Sequence, residues 1–213
     1  MSHVKFVVQA IPRSVVGLIM SALSRHPQCA VRGTAFVGDT PQAVADMRAA
    51  GSWKAWFDRC TEVSGERKAA GFISYRYLPS AQAGLCVKWE WTQTLWQYIS
   101  DKGSDDVRVV RITREDLIAR AISAAVALFT GTVAARKNSD ALRHYMANQK
   151  AIDVPPWLFR TFLDEGLAVD LLPHCRARTF STTYEELVAT WADTTQALQK
   201  FLGVDVLQLT TPL

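Results

Sequence analysis

The chain has 213 residues, 49% of them hydrophobic, enough for one domain with a sizeable core. Its net charge of +4 favours an anionic ligand, yet no Lys/Arg block and no aromatic residues interleaved with basic ones argue for nucleic acid. No apolar run approaches the length of a membrane span, which argues against a membrane partner, and the N-terminus lacks the long apolar region of a signal peptide, so the expected location is cytoplasmic.

In chain order, Val4, Phe6, Val7 and Val8 form an apolar, partly β-branched run of strand length. Ile11-Pro12-Arg13-Ser14 interrupts it, because proline fixes φ and lacks an N–H. Val15, Leu18, Ile19, Ala22 and Leu23 then recur at helical spacing, and Pro27 stops that helix after His26. A strand, a tight loop and a helix make an anion site: the first helical amides are unpaired and the dipole adds partial positive charge. Arg13 contributes a fixed, forked set of donors. The Arg13 side chain and the amides of Ser14, Val15, Val16, Gly17 and Leu18 are therefore candidate anion ligands. The plainer alternative is a first strand–helix unit with an exposed arginine in its loop.

Residues 28–37 read as an extended piece. Thr40 and Pro41 then open a helix over 41–50 as N-cap and first helical residue. Residues 52–59 continue as a second helix with Trp53, Trp56 and Phe57 on one face, and 61–70 reads as loop. Phe72 to Tyr77 fits a strand or a short helix. Leu85 to Trp91 alternates as a strand does, with Lys88 and Glu90 on one side. A helix over 92–100 and a strand over 107–112 follow. Thr113 is expected to cap a helix from Arg114 to about Phe129, with Asp116 in the place of a capping-box acid and Gly131 at the end. Pro155-Pro156 starts another helix, 176–180 reads as a last strand, and Tyr184 to Leu202 reads as one helix closed by Gly203. Alternating strands and helices predict an α/β class with a mostly parallel sheet, as a single domain over 1–213. The four cysteines, Cys29, Cys60, Cys86 and Cys175, lack CxxC spacing and read as free thiols, neither a disulfide framework nor a zinc site.

A second informative stretch is VRVVRITREDLIARAIS, 107–123. Arg111 ends its strand and Ser123 lies on the helix that follows. Ligands of open α/β sheets bind at the carboxyl ends of the strands, so Arg13 and Arg111 share an edge if their strands are neighbours. Two cationic sites on one edge suit a ligand with two anionic groups. The plainer alternative makes Arg111, Arg114 and Arg120 a strand-end charge and a solvated helix face.

These residues carry a resemblance. Pro12-Arg13-Ser14 after a strand, followed by an apolar helix and His26-Pro27, resembles the phosphosulfate-binding loop of the sulfotransferase family. VVRITREDLIARAIS, 109–123, is similar to the family's second motif, in which a strand-end Arg and a helical Ser hold the 3′-phosphate of the donor. Its wording is closest to the bacterial branch that includes trehalose sulfotransferase. VKWEWTQ (87–93), ALFTGTVAA (127–135) and TYEELVATWADTTQALQKFLGV (183–204) resemble three further segments of that branch, in the right order.

The resemblance implies a P-loop-like three-layer α/β sandwich around a mostly parallel sheet. It implies 3′-phosphoadenosine-5′-phosphosulfate as donor, 3′,5′-ADP as product, and no metal. The acceptor is then a hydroxyl of a small molecule or glycan, a carbohydrate being one candidate. Arg13, Ser14, Val15, Val16, Gly17 and Leu18 would hold the 5′-phosphosulfate, and Arg111 and Ser123 the 3′-phosphate. Sulfuryl transfer needs in-line placement, cations near the bridging oxygen and a base for the acceptor proton. Lys88 and Glu90 are the candidate pair for those last two roles, a surface ion pair being the plainer alternative. His26 reads as a helix-end cap.

The sequence also departs from the pattern. Val15-Val16-Gly17 stands where the family has Gly and hydroxyl residues, which removes side-chain donors and places a β-branched residue where Gly permits close approach. Thr34 follows Gly33 where the bacterial branch often carries Glu. The resemblance also implies a basic C-terminal segment closing over the donor, which the residues up to Leu213 do not supply. Two rival readings remain: a non-catalytic binding protein on the same fold, and a P-loop small-molecule kinase, although the sequence has no GxxxxGK[ST].

Overall fold

The structure is a computed structural model that describes residues 3–10, 13–34, 41–75, 89–102, 107–130, 153–170 and 177–210. Among these residues the elements run β1 (Val4–Ala10), α1 (Val16–Ser24), β2 (Cys29–Thr34), α2 (Pro41–Ala49), α3 (Trp53–Cys60), β3 (Ala69–Tyr75), α4 (Trp89–Lys102), β4 (Val107–Thr113), α5 (Leu117–Thr130), α6 (Pro156–Asp170), β5 (Thr179–Thr183), α7 (Tyr184–Ala189) and α8 (Trp191–Leu202).

The strands form one sheet in the order β2-β3-β1-β4-β5, with every neighbouring pair parallel. β1 is central, which explains its sequence: Phe6, Val7, Val8 and Ala10 are all buried, an apolar run interrupted only by the buried Gln9, as suits a strand covered on both faces. Its even-numbered residues, with Val110 and Ile112 of β4, pack on Val16, Ile19 and Leu23 of α1 and Leu198 and Leu202 of α8. Val7, Phe72 and Val109 point the other way, onto Trp56 and Phe57 of α3 and Leu95, Trp96 and Ile99 of α4. These two cores make a three-layer α/β sandwich. Gly71 of β3 sits opposite Phe6 in the register, where a Cβ would collide with the Phe6 carbonyl oxygen and ring, so no larger residue fits.

Several local expectations change. Of the undecided stretch at 72–77, residues 72–75 belong to strand β3, which already starts at Ala69 within the expected loop, and 76–77 lie outside the described residues. Residues 89–91, expected in a strand, begin helix α4, while Leu85 to Lys88 lie outside the described residues. Only the last three residues of the alternating run Leu85 to Trp91 are described, and the helix with the buried stripe Leu95, Trp96 and Ile99 extends back through them. α5 begins at Leu117, later than expected, because Asp116 rather than Thr113 is its cap: its carboxylate accepts the Ala119 N–H at 2.8 Å. The last strand is 179–183 rather than 176–180. The helix expected over 184–202 is two helices. Thr190 separates them with a non-helical backbone, and its hydroxyl donates to the Glu186 carbonyl at 2.9 Å. Thr40, Gly131, Cys86 and Cys175 lie outside the described residues.

The C-terminal stretch is tied back to the first helix. His26 is buried; its Nδ1 accepts the Gln28 N–H at 3.1 Å, so Nε2 carries the proton and donates to the Asp205 carbonyl at 2.8 Å. Neither partner belongs to α1, whose C-cap is Arg25, so the His26 side chain pins the C-terminal stretch rather than capping the helix as expected. Cys29 and Cys60 are free and buried, and burial pushes both thiols up to about 12. Among the described residues no helix is long and apolar enough to cross a membrane.

Candidate functional site

The connection leaving β1 runs to β2 on one side of the sheet, and the connection leaving β4 runs to β5 on the other. β1 and β4 are neighbours, so the chain diverges between their carboxyl ends and opens a crevice there, the place where open α/β sheets bind ligands. The two stretches singled out in the sequence flank that crevice.

On the β1 side, Arg13 and Val15 have φ of 71° and 63°, left-handed positions on either side of Ser14. Left-handed residues entering a right-handed helix curl successive N–H groups into a concave anion nest. α1 then starts at Val16, and no side chain caps its first turn. The Leu18 N–H already donates to the Val15 carbonyl at 2.9 Å, which withdraws Leu18 from the expected anion ligands and leaves the amides before it as the candidates. The Ser14 hydroxyl is fully buried and has no hydrogen-bond partner among the described residues. A buried hydroxyl left so is costly unless something else meets it. Gly17 is exposed, with open space around its Cα.

On the β4 side, Ser123 of α5 accepts a hydrogen bond from Arg13 Nε at 2.8 Å, across 110 positions of sequence. The structure thus brings Arg13 and Ser123, proposed for two different phosphate groups, into direct contact. Arg111 lies half-buried in β4, opposite Gln9 of β1 and Ser181 of β5. Gln9 in turn faces Ser74 of β3, so a polar row crosses the sheet near its carboxyl end. Trp96 Nε1 donates to the Ser74 hydroxyl at 3.2 Å.

Two arginines read as a solvated helix face are not solvated. Arg120 is fully buried, and Gly166 of α6 makes room for it: a Cβ there would lie 3.3 Å from Arg120 Nε. Arg114 precedes α5, its side chain only 14% exposed, and donates from Nη1 to the Arg13 carbonyl at 3.1 Å. Its place at the crevice was missed because the helix was expected to begin at Arg114. The usable signal was Asp116, a second capping residue three positions after Thr113.

Lys88 lies outside the described residues, and only the backbone of Glu90 is described. Glu90 is in the first turn of α4 rather than on a strand. α4 runs antiparallel to the strands, and Trp96 already meets Ser74 near the carboxyl end of β3. Glu90 is six residues earlier, about 9 Å further along the axis, which puts it at the carboxyl edge with the crevice. Thr34 ends β2 on the same edge.

The fold and site define a class: an α/β protein with a left-handed backbone nest at its first strand–helix turn. Over its whole length the chain matches the solved structure of a sulfotransferase from Alicyclobacillus acidocaldarius, with a TM-score of 0.56, 16% identity and 86% of that chain covered. A mouse sulfotransferase, SULT7A1, solved complexed with PAP, matches 96% of this chain and 60% of its own, with a TM-score of 0.46 and 13% identity. No protein-family model and no curated protein matches the sequence. The fold is that of the sulfotransferases.

Proposed function

We propose that this chain is a sulfotransferase that binds 3′-phosphoadenosine-5′-phosphosulfate and transfers its sulfuryl group to a hydroxyl of a small molecule or glycan. One observation carries the reading. The Arg13–Ser123 hydrogen bond joins the β1–α1 loop to helix α5 at the sheet's switch point, beside a buried Ser14 hydroxyl that has no partner among the described residues. The donor supplies an activated sulfuryl group. Arg13, the Ser14 hydroxyl and the amides of residues 14–17 would hold its 5′ end, with Ser123 and Arg111 on the side of its 3′-phosphate. Glu90, at the same edge, would take the acceptor proton as the new S–O bond forms, and Lys88 would meet the leaving phosphate oxygen.

Arg13→Ala is expected to weaken 3′,5′-ADP binding by about 1.5–3 kcal/mol, the scale of a charge-assisted hydrogen bond, with little change in stability. Isothermal titration measures this, and an unchanged affinity removes Arg13 from the site. Thermal shift separates the rivals: 3′,5′-ADP stabilises a sulfotransferase, Mg-ATP a kinase. Left-handed Val15 favours a second reading, a donor-binding protein without turnover. Transfer from labelled donor to a panel of sugar and phenol acceptors distinguishes the two. In an active enzyme Glu90→Gln is expected to lower turnover by roughly 10²–10⁴-fold, the contribution of a general base, at nearly constant 3′,5′-ADP affinity.

A further inference from the structure

We infer that Glu185 and Arg114 form a brace that positions the anion loop. Glu185 stands in the first turn of α7, on no loop of the crevice. Its two carboxylate oxygens accept the N–H groups of Glu115 at 3.1 Å and Asp116 at 3.3 Å, and one of them lies 3.9 Å from Arg114 Nε. The Arg114 guanidinium lies 4.4 Å from the centre of the Tyr184 ring and donates to the Arg13 carbonyl at 3.1 Å. The Arg13 side chain ends the chain of contacts at Ser123. Three connections, after β1, β4 and β5, are thus tied through one largely desolvated guanidinium. A carboxylate and an aromatic face offset its loss of water.

The brace acts on a residue that needs one. Arg13 sits at φ 71°, which L-residues seldom adopt and which surrounding contacts must hold. Anchoring its carbonyl fixes the peptide that leads into the nest. A loop ordered in advance loses less freedom when an anion binds. Glu185 touches no part of the proposed donor pocket, so it is a positioning residue acting through Arg114. That it serves the donor rests on the reading above; the brace itself does not.

Hydrogen–deuterium exchange on the free protein tests the brace. Glu185→Ala is expected to speed exchange in residues 114–117 and also in 13–18, and Arg114→Ala in 13–18 alike, with no further gain in the double variant. Faster exchange confined to 114–117 overturns the coupling. Glu185→Gln keeps one oxygen acceptor and gives a smaller effect of the same pattern, should the alanine variant fail to fold. Titration with 3′,5′-ADP reads the consequence for the ligand: Glu185→Ala is expected to weaken binding roughly five- to tenfold, and much less in an Arg13→Ala background, as coupled residues do. Equal losses in both backgrounds overturn action through Arg13. If the wild type binds no 3′,5′-ADP, the donor reading falls while exchange still decides the brace.

Discussion

Val15 shows most sharply where side chain and backbone disagree. A β-branched residue with φ of 63° is a conformational outlier, costing roughly 1–2 kcal/mol relative to ordinary backbone. Glycine occupies that region freely but loses more entropy on folding. Val15→Gly is therefore expected to raise stability by about 0.5–1 kcal/mol, the surplus of relieved strain over lost chain stiffness. Urea unfolding measures it, and a clear loss of stability would mean that the loop is not strained. Arg13 and Ser14 were legible in the sequence because their chemistry is local to a strand–helix turn. The left-handed backbone of Val15 was not, since valine is a residue that argues against it.

Among elements, the start of α5 is the instructive case. Thr113 and Asp116 are both good caps, three residues apart, and the apolar stripe behind them tolerates either start. The bond from Asp116 to the Ala119 N–H selects the later one and leaves Arg114 to bridge two loops. Asp116→Ala should cost about 1 kcal/mol, the usual loss on removing an N-cap, and Thr113→Ala less than half of that. The two denaturation midpoints decide it; the opposite order would put the cap back at Thr113. Glu90 teaches the complementary lesson. The alternation of Leu85 to Trp91 misplaced it on a strand, whereas the order of elements still puts its backbone at the carboxyl edge. Which edge a residue occupies follows from the order of elements and survives an error in the type of one element.

For the whole molecule, the α/β class and the parallel sheet followed from the alternation of apolar runs, whereas the order β2-β3-β1-β4-β5 depends on pairings no local pattern encodes. Gly71 against Phe6 is one such pairing, visible only once the strands are side by side. Stability should also respond as a whole to alkali. The thiols of Cys29 and Cys60 are pushed up to about 12 in the folded chain, from an ordinary value of 9.0. Below the ordinary value both states keep the proton and nothing changes. Above it the unfolded chain ionises first, so stability falls as pH rises toward the folded value, by about 2 kcal/mol or more per thiol at pH 11. Urea midpoints at about pH 8 and pH 11 should differ less in Cys29→Ala than in wild type. An identical pH dependence would show that the thiol takes no part.

Beyond α8 the chain turns back. The Gln199 side-chain amide bonds both the N–H and the carbonyl of Leu207, at 2.8 and 3.0 Å, as a neighbouring strand would. Trp191, at the opposite end of α8, then donates to the Leu209 carbonyl at 2.9 Å. Residues 204–209 therefore travel from the sheet's amino edge towards its carboxyl edge, while β1 begins at the amino edge. A fusion partner joined before Val4 departs from the far side and leaves the crevice accessible. At Thr210 the chain is heading towards it, so a tag or tether joined before Val4 is the one expected to leave the crevice open.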